Sequence, residues 1–394
     1  METLEIKNLG PIKELSVSPK TLTVLVGPQA SGKSLAAQVL YFFRILKAEF
    51  ARRFKPEAIL NRSSKSDVLL DILSGIRLRY FFTGAESKLS YMASHDSVSE
   101  KWTITIGENG KALKINSSLR TDIDNWIENW ERSRDILGKQ GITNDLYIPA
   151  ERMIFSMFYD HEPRVLFAPF HAEIIRNFSD AMISNRTIYE LLLHRALNID
   201  EDGERLFENV MIFQRKALKG IIQLAKNDNV WIFKSIERGR EKFLPIESIS
   251  SGQMAGWPIF MLLSTSGIRS RECIHFLEEP EIHLHPEAQR VMVETIACLV
   301  SFNRRVFITT HSPFILYKIN NMLQAFYAYK GSPPEDVYCL NPAEVAAYRI
   351  ADGKAFDMMD KETGLLDTEE LDRVADELGG EFDRYLFMKE PVNG

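Results

Sequence analysis

An apolar run near the start of the chain predicts a buried strand that leads into a loop and a helix. Thr21–Val26 is rich in β-branched residues and lies between Pro19 and Gly27, as expected for a core strand that ends at a tight turn. The segment from Ser34 to about Lys55 is predicted to form one long helix. The pattern therefore predicts a strand–loop–helix unit at this end of the chain.

Alternating apolar and polar residues predict antiparallel hairpins before and after this unit. Leu4–Val17 alternates and is broken at Asn8–Pro11, which is typical of two paired strands. Trp102–Ile106 and Ala112–Ile115 alternate in the same way around a turn at Glu108–Gly110. We expect these hairpins to form an antiparallel layer beside the core sheet.

Apolar residues recur at helical spacing in the middle of the chain. The two stretches run from Thr121 to Gly138 and from Ala172 to Lys226. Neither keeps a heptad pattern over roughly four repeats, so no long coiled coil is expected. We interpret the region as an inserted helical lobe.

Composition limits the class of protein. The chain has 394 residues, of which 45% are hydrophobic and 26% charged, as in ordinary globular proteins. It contains no apolar run of the roughly 18–20 residues that a membrane helix needs, and Met1–Glu5 does not resemble a signal peptide, so a cytoplasmic protein without membrane contact is expected. The net charge of -6 argues against an overall basic protein that coats DNA. Cys273, Cys298 and Cys339 lack CxxC spacing and are interpreted as small buried hydrophobes.

The loop after the first core strand fits the GxxxxGK[ST] phosphate-binding pattern. Its residues, which we predict to bind the nucleotide, are Gly27, Pro28, Gln29, Ala30, Ser31, Gly32, Lys33 and Ser34. Backbone N–H groups and the helix N-terminus would surround the phosphates. Lys33 is expected to neutralise the terminal phosphate oxygens and Ser34 to ligate Mg²⁺.

Two adjacent acids follow a second apolar strand. Cys273–Leu277 precedes Glu278 and Glu279, at the end of a strand that would face a ligand crevice. Because successive strand residues point to opposite sides, Glu278 is predicted to hold Mg²⁺ through water and Glu279 to polarise the attacking water. The alternative is that both glutamates are solvated charges at a strand end.

Two further polar segments complete the set of candidate residues. His311 follows the apolar strand Arg305–Thr310 and is predicted to reach the terminal phosphate. A serine–glycine turn opens the apolar helix Trp257–Leu263, and this arrangement binds anions. The residues of that turn are Ser250, Ser251, Gly252 and Gln253.

These four segments, in this order, resemble those of ATP-binding-cassette (ABC) ATPases over residues 1–55 and 240–390. The LSGGQ signature of that family stands here as Ile249–Gln253, with Ser251 in place of the first glycine. The resemblance implies that Ser250 and Gly252 act in trans on ATP and Mg²⁺ held by another copy, in a homodimer or higher oligomer. The first 26 residues contain no Tyr, Phe, Trp or His, so the adenine-stacking aromatic of transporters has no counterpart.

Within that superfamily, Leu4–Ile12 resembles the start of the ATPase heads of chromosome-maintenance (SMC) and recombination proteins. Glu278–Pro286 and Tyr147–Arg152 are similar to segments of prokaryotic phage-defence AAA ATPases: the overcoming-lysogenization-defect (OLD) nucleases, Septu, PARIS and the retron-associated ATPases. The resemblance implies an ATPase sensor, scaffold or switch that controls a separate effector, such as a nuclease or toxin. His283 and His285 lack the spacing and third ligand of a zinc site, which favours a dimer-contacting loop.

The OLD enzymes carry a nuclease domain after the ATPase, with clustered metal-binding acids. In this chain Asp357, Asp360 and Asp367 are scattered through the segment after His311, so the chemistry of the chain is expected to be confined to ATP hydrolysis.

The expected fold is an α/β ABC-ATPase head, a P-loop NTPase with a mostly parallel core sheet, an antiparallel N-terminal layer and an inserted helical arm. We predict that residues 1–55 and 241–394 form the ATPase lobe and that residues 56–240 form the β layer and helical insertion. Two alternatives remain. The first is a DNA-repair or recombination clamp of the SMC or RecF type, with nucleic acid held by basic residues of the first helix: Arg44, Lys47, Arg52, Arg53 and Lys55. The second is the nucleotide-binding subunit of a transporter.

Overall fold

Two hydrogen-bonded β-sheets and the helices around them organise the chain in a computed structural model. The structure describes residues 2–53, 69–70, 72–74, 78–82, 85–95, 98–108, 113–129, 145–158, 173–224, 231–237, 239–269, 271–335 and 337–388. The described strands are β1 Glu2–Leu9, β2 Ile12–Val17, β3 Leu22–Val26, β4 Ser87–His95, β5 Val98–Ile106, β6 Leu113–Ile115, β7 Leu146–Ile148, β8 Gly220–Leu224, β9 Trp231–Glu237, β10 Arg240–Pro245, β11 Ile274–Glu278, β12 Arg305–Thr310, β13 Val345–Ala351 and β14 Lys354–Asp357. The described α-helices are α1 Lys33–Arg53, α2 Ser117–Glu128, α3 Met153–Phe158, α4 Glu173–Leu193, α5 Glu201–Leu218, α6 Ser251–Ser264, α7 Pro286–Ser301, α8 Pro313–Ala328 and α9 Glu369–Phe387.

The larger sheet joins a parallel half to an antiparallel half. Its eleven strands run in the order β6-β5-β4-β1-β2-β14-β13-β3-β12-β11-β7. The strands from β13 to β7 are parallel, and those from β6 to β2 are antiparallel. The predicted α/β fold class is confirmed, and the antiparallel strands continue the core sheet through β14. Strand β4 was absent from the sequence prediction.

The central strands are apolar because both of their faces are covered. Every residue of β3 and β11 is buried, as expected for parallel strands between two layers of helices. Alternate residues of β3 enter different cores: Val24 packs with α5 to α8, whereas Leu25 packs with α1 and the antiparallel strands. The sheet therefore separates two hydrophobic cores and holds the carboxyl ends of its parallel strands at one edge.

The helical insertion shares a core with the helices that follow it. Tyr189 of α4, Val210 of α5, Trp257 of α6 and Leu299 of α7 belong to one buried cluster. The insertion is therefore packed onto the ATPase elements over its described part. The predicted boundaries at residues 55/56 and 240/241 remain predictions, and residues 54–55, 130–138, 172 and 225–226 of the predicted helices lie outside the described residues.

The helical prediction up to Lys226 is wrong at Gly220–Leu224. Lys219 adopts a left-handed conformation with φ of 59° and ends α5. The next residues form β8, which pairs with β9 in a second sheet of three strands. A Cβ on Gly220 would lie 2.5 Å from the carbonyl oxygen of Lys234, so glycine is required for this close pairing. The apolar pattern did not separate the end of the helix from a short strand.

For the last part of the chain, the sequence predicts a strand at Ala347–Ile350, a turn at Asp352–Gly353 and an acidic helix from Thr368 to about Phe387, and the structure follows this order. Strand β13 turns at Asp352 and Gly353, both with positive φ, into β14, and α9 follows. None of the described helices combines the length and apolar character that a bilayer crossing requires.

Candidate phosphate and acid site

The phosphate loop lies at the carboxyl end of β3 and is closely packed on both sides. A Cβ on Gly27 would collide with the carbonyl oxygen of Ile350, and one on Gly32 would lie 2.6 Å from a side-chain carbon of Ile12. Gly32 and Ala30 have φ of 105° and 59°. These left-handed residues turn the loop so that it can surround an anion.

Lys33 is buried at the base of the loop. Its ammonium group donates to the carbonyl oxygens of Gly27 and Pro28, at 2.9 and 2.8 Å, and lies 3.5 Å from Nδ1 of His311. Burial lowers the pKa of Lys33 to about 8, and the nearby charges of Glu279 and Glu281 offset this only in part. A bound phosphate would supply the negative charge that this lysine needs.

Glu278 is buried at the end of β11 and is held by three donors. They are the hydroxyl of Tyr147, the side-chain amide of Gln38 at 3.3 Å and the backbone N–H of Ala150 at 3.2 Å. Burial raises the pKa of Glu278 despite these hydrogen bonds. No signal in the sequence pointed to Gln38, Tyr147 or Ala150 as donors to this carboxylate.

Glu279 points away from Glu278 and contacts the predicted histidine. Its Oε1 lies 2.9 Å from Nε2 of His311. The backbone of Glu279 has a φ of 42°, and its N–H donates to the carbonyl oxygen of Thr309 at 2.9 Å. The two neighbouring acids thus face different groups. Glu279 lies beyond the end of β11 in a left-handed conformation, so the predicted alternation along a strand is not the cause, and the chemical roles of the two acids remain a proposal.

Glu281 orients the turn that carries His311. Its Oε1 accepts from the Thr310 hydroxyl at 2.6 Å and from the His311 N–H at 2.8 Å. The sequence analysis assigned no role to Glu281, because nothing local indicated that it would reach a turn some thirty residues later in the chain. The structure therefore brings Lys33, Glu278, Glu279 and His311 to one edge of the sheet.

The serine–glycine turn lies in a different pocket of the same chain. Ser250 and Gln253 form a reciprocal capping box at the start of α6, and the Gln253 amide also donates to the carbonyl oxygen of Leu218 at 2.8 Å. A Cβ on Gly252 would lie 2.7 Å from the His283 carbonyl oxygen. The turn borders a pocket of about 400 Å³, and no phosphate-loop residue lines it: its lining is Lys216, Ala217, Leu218, Lys219, Ser250, Ser251, Gly252, Gln253, His283, Leu284, His285, Glu287 and Ala288.

His285 and the three aspartates singled out in the sequence have local partners. His285 caps the start of α7 by accepting from the Glu287 N–H. Asp357, Asp360 and Asp367 accept hydrogen bonds from backbone N–H groups two or three residues later. Among the described residues, no group of three or more His, Cys, Asp or Glu side chains is arranged to hold a metal ion.

The basic residues of α1 are only partly available to a nucleic acid. Arg44 forms ion pairs of 2.6 Å with both Glu2 and Asp145, so its charge is already used within the fold. Lys47 is exposed. The side chains of Arg52 and Arg53, and all of Lys55, lie outside the described residues.

The site fits a nucleotide phosphate with a divalent cation. The hydroxyl of Ser31, in the phosphate loop, is buried and has no hydrogen-bond partner among the described residues. Lys33 is a buried cation that needs an anion, and Glu278 is a buried carboxylate whose charge a cation would stabilise. The half-buried Ser34 is the second residue of α1 and follows Lys33 directly.

A phosphate loop after β3, two acids after β11 and a histidine after β12 define the class of P-loop ATPases. The chain belongs to the family described as "AAA domain, putative AbiEii toxin, Type IV TA system", whose model matches residues 22–316. No curated protein matches the sequence.

Solved structures of SMC heads are similar to the chain at a low level. A Smc head bound to the C-winged helix domain of ScpA has 13% identity and a TM-score of 0.42, with 90% of this chain and 95% of that chain covered. The SMC head domain from Thermotoga maritima has 12% identity and a TM-score of 0.42, with 90% and 97% covered. A Smc head bound to the C-terminal domain of ScpA, derived from Pyrococcus furiosus, has 11% identity and a TM-score of 0.42, with 96% and 100% covered.

The lowered pKa of Lys33 predicts that nucleotide affinity falls above about pH 8. In the free protein Lys33 loses its proton as the pH rises through about 8, below the ordinary lysine value of 10.5, whereas bound phosphates would raise the pKa again. The triphosphate is already fully ionised there, because its last pKa lies near 6. We expect a constant nucleotide Kd below pH 8 and a rise of up to about tenfold per pH unit above it.

Isothermal titration calorimetry in two buffers with different ionisation enthalpies should detect proton uptake on binding at pH 9. Lys33→Arg is the matched control, because its guanidinium stays charged. An equally flat Kd profile for both proteins up to pH 10 would show that Lys33 does not titrate in this range.

Proposed function

We propose that the chain binds ATP with Mg²⁺ at the phosphate loop and hydrolyses it inside a homodimer or higher oligomer. The proposal is supported by the separation of the phosphate and acid residues from the anion-binding turn at Ser250 within one chain. Lys33, Glu278, Glu279 and His311 lie together, whereas the turn of Ser250 borders another pocket. A second copy would bring its turn to the open side of the phosphate site and exclude water from it.

Within the closed site each side chain has a distinct task. Lys33 would exchange its bonds to loop carbonyl oxygens for the phosphate oxygens, while Ser34 and Glu278 hold the cation. Glu279 would accept a proton from the attacking water, and His311, which lies between Glu279 and Lys33, would orient that carboxylate and contact the terminal phosphate. The bound cation supplies positive charge for the phosphate oxygens in the transition state.

The turn at Ser250 provides a direct test of the dimer. Ser250→Arg places a long charged side chain where the partner's phosphates would arrive, so closure should fail while nucleotide binding by the single chain persists. We expect a nucleotide Kd within about threefold of wild type, and loss of the ATP-dependent dimer in native mass spectrometry. The control Lys242→Arg keeps the charge of an exposed lysine on β10. A persistent ATP-dependent dimer of Ser250→Arg would place the interface elsewhere.

We further propose that closure and hydrolysis switch a separate effector, a nuclease or toxin, in anti-phage defence. The segments Glu278–Pro286 and Tyr147–Arg152 support this assignment through their resemblance to defence ATPases, and the first of them carries both active-site acids. The description of the matching family mentions a putative toxin of a Type IV TA system, which supports a link to a toxin. Asp357, Asp360 and Asp367 are engaged in local turns, which favours an effector on another chain.

A pull-down of tagged Glu279→Gln protein from its native cells, with ATP and Mg²⁺, tests the switch. A protein of nuclease or toxin character should co-purify in a fixed ratio and be absent from a Lys33→Ala pull-down. Deletion of the gene with its neighbours should raise susceptibility to at least one phage of a broad panel. Recovery of DNA alone, with unchanged phage susceptibility, would favour the DNA-repair clamp instead.

The DNA clamp is the weaker candidate because Arg44 is paired with Glu2 and Asp145. It requires ATP-dependent DNA binding whose affinity falls steeply with salt.

A further inference from the structure

Among the residues that the structure describes, the buried guanidinium of Arg152 donates only to backbone carbonyl oxygens. Arg152 is 1% exposed. It donates to Ala255 at 2.9 Å, Pro149 at 3.2 Å, Glu278 at 2.8 Å and Glu279 at 3.0 Å. Burial lowers its pKa to about 10, so it stays charged at neutral pH. Nearby carboxylates, that of Glu281 most strongly, attract the charge, but within the described part of the chain none forms an ion pair with it. Burying a cation in this way is costly, which indicates a role beyond filling space.

Arg152 connects the two halves of the proposed catalytic machinery. Two of its acceptors belong to the adjacent acids at the end of β11, and a third, Ala255, lies in the first turns of α6, the helix that Ser250 caps. Glu279 would act on the nucleotide of its own chain, whereas the Ser250 turn would act on the nucleotide of the partner. The Arg152 side chain thus contacts the backbone of both the acid segment at the end of β11 and the helix α6.

A second contact ties the same segment to α6. Pro258 lies inside α6 and has no N–H to donate to the carbonyl oxygen of Met254. The hydroxyl of Ser156 donates to that oxygen instead, at 2.8 Å. The Met254 N–H in turn donates to the Ser250 carbonyl oxygen at 2.8 Å. The segment from Arg152 to Ser156 is therefore hydrogen-bonded to the first turns of α6 at two points.

At the other end, Arg152 supports a strained residue. Glu279 has a φ of 42°, a left-handed conformation that is unfavourable for a glutamate and persists only when its surroundings hold it. The N–H of Glu279 donates to the carbonyl oxygen of Thr309, and the carbonyl oxygen of Glu279 accepts from the Arg152 guanidinium. Loss of the second contact would let the Glu279 backbone relax and move its carboxylate away from His311.

We propose that Arg152 is a positioning residue that couples engagement of the Ser250 turn with the partner's nucleotide to the placement of Glu279 in its own site. The inference rests on the proposed function, because it takes Glu279 as the base and the Ser250 turn as the group that acts in trans. Closure of one interface would then set the geometry of hydrolysis in both copies.

The test is a double-mutant cycle on ATP turnover in the full-length protein. Arg152→Lys should lower kcat by about tenfold or more, as expected for a misplaced catalytic group, with the ATP Kd within about threefold of wild type. Ser250→Ala should lower kcat in the wild type and have a much smaller effect in the Arg152→Lys background, because the connection is already lost.

Arg304→Lys is the matched control. Arg304 is also buried, at 4% exposure, and donates to the carbonyl oxygens of Arg269 and Gly267 at 2.6 and 3.1 Å. It precedes β12 at the end away from His311. Its substitution should leave the Ser250→Ala effect on kcat unchanged, within about twofold.

Each outcome has a distinct meaning. If Arg152→Lys and Ser250→Ala act additively, the coupling is wrong while the proposed ATPase stands. If the wild type shows no ATP turnover that Lys33→Ala abolishes, both proposals fail. Should Arg152→Lys lose its cooperative thermal transition, Ser156→Ala, which removes one hydroxyl, replaces it in the cycle; additivity there equally overturns the coupling.

Discussion

Glu279→Gln is expected to lower ATP turnover by about 100- to 10,000-fold while ATP binding is retained, because the amide cannot accept the proton of the attacking water. The substitution keeps the size of the side chain, and an amide can still bond to His311, which lies 2.9 Å from Glu279 in the structure. Without hydrolysis the ATP-bound dimer should accumulate. Phosphate release in steady state and native mass spectrometry measure the two effects.

The control for this variant is Glu208→Gln. Glu208 is an exposed residue of α5 that pairs with Arg195 in the preceding loop, and the substitution removes its charge. It should turn over ATP at the wild-type rate. Rapid turnover by Glu279→Gln would assign the proton acceptor to another group.

Lys33→Ala is expected to weaken nucleotide binding by about 100-fold, since each lost hydrogen bond between charged groups contributes about 1.5–3 kcal/mol. The ammonium group is already buried beside the loop carbonyl oxygens of Gly27 and Pro28, so it needs little rearrangement to meet a phosphate. Equilibrium dialysis with labelled ATP measures the affinity.

The thermal stability of Lys33→Ala separates lost binding from lost folding. Burial disfavours the charged form of Lys33 in the free protein, so its removal should leave the Tm of the nucleotide-free protein unchanged or slightly higher. Lys20→Ala, at an exposed lysine ahead of β3, is the control for nucleotide binding. A Lys33→Ala protein that binds ATP as the wild type does would remove the phosphate loop from the proposed site.

The elements of the core were predictable because their signals are local. A strand buried on both faces is apolar along its whole length, which identified β3, β11 and β12. Proline and glycine mark the ends of helices and turns, which located the start of α1 and the turn at Asp352–Gly353. At Lys219 and Gly220 the apolar pattern fits both a helix and a short strand, and the predicted helix therefore extended wrongly over β8.

Residues that act through distant contacts carried no such signal. Gln38, Tyr147 and Ala150 all reach Glu278, although they lie more than a hundred residues from it along the chain. The Arg44 side chain was interpreted as a surface cation, yet the fold pairs it with Glu2 and Asp145. A sequence pattern records the neighbours of a residue along the chain and not those across a sheet.

The amino-acid sequence was sufficient for the P-loop fold class, the phosphate loop and the order of the candidate segments, because periodicity and turn chemistry act over a few residues. The packing of the chain was needed to show which segments meet. It joined the phosphate loop to Glu279 and His311, kept the Ser250 turn in a separate pocket, and buried Arg152 between them. Those relations depend on contacts between residues far apart in the chain, and only close packing of the two cores specifies them.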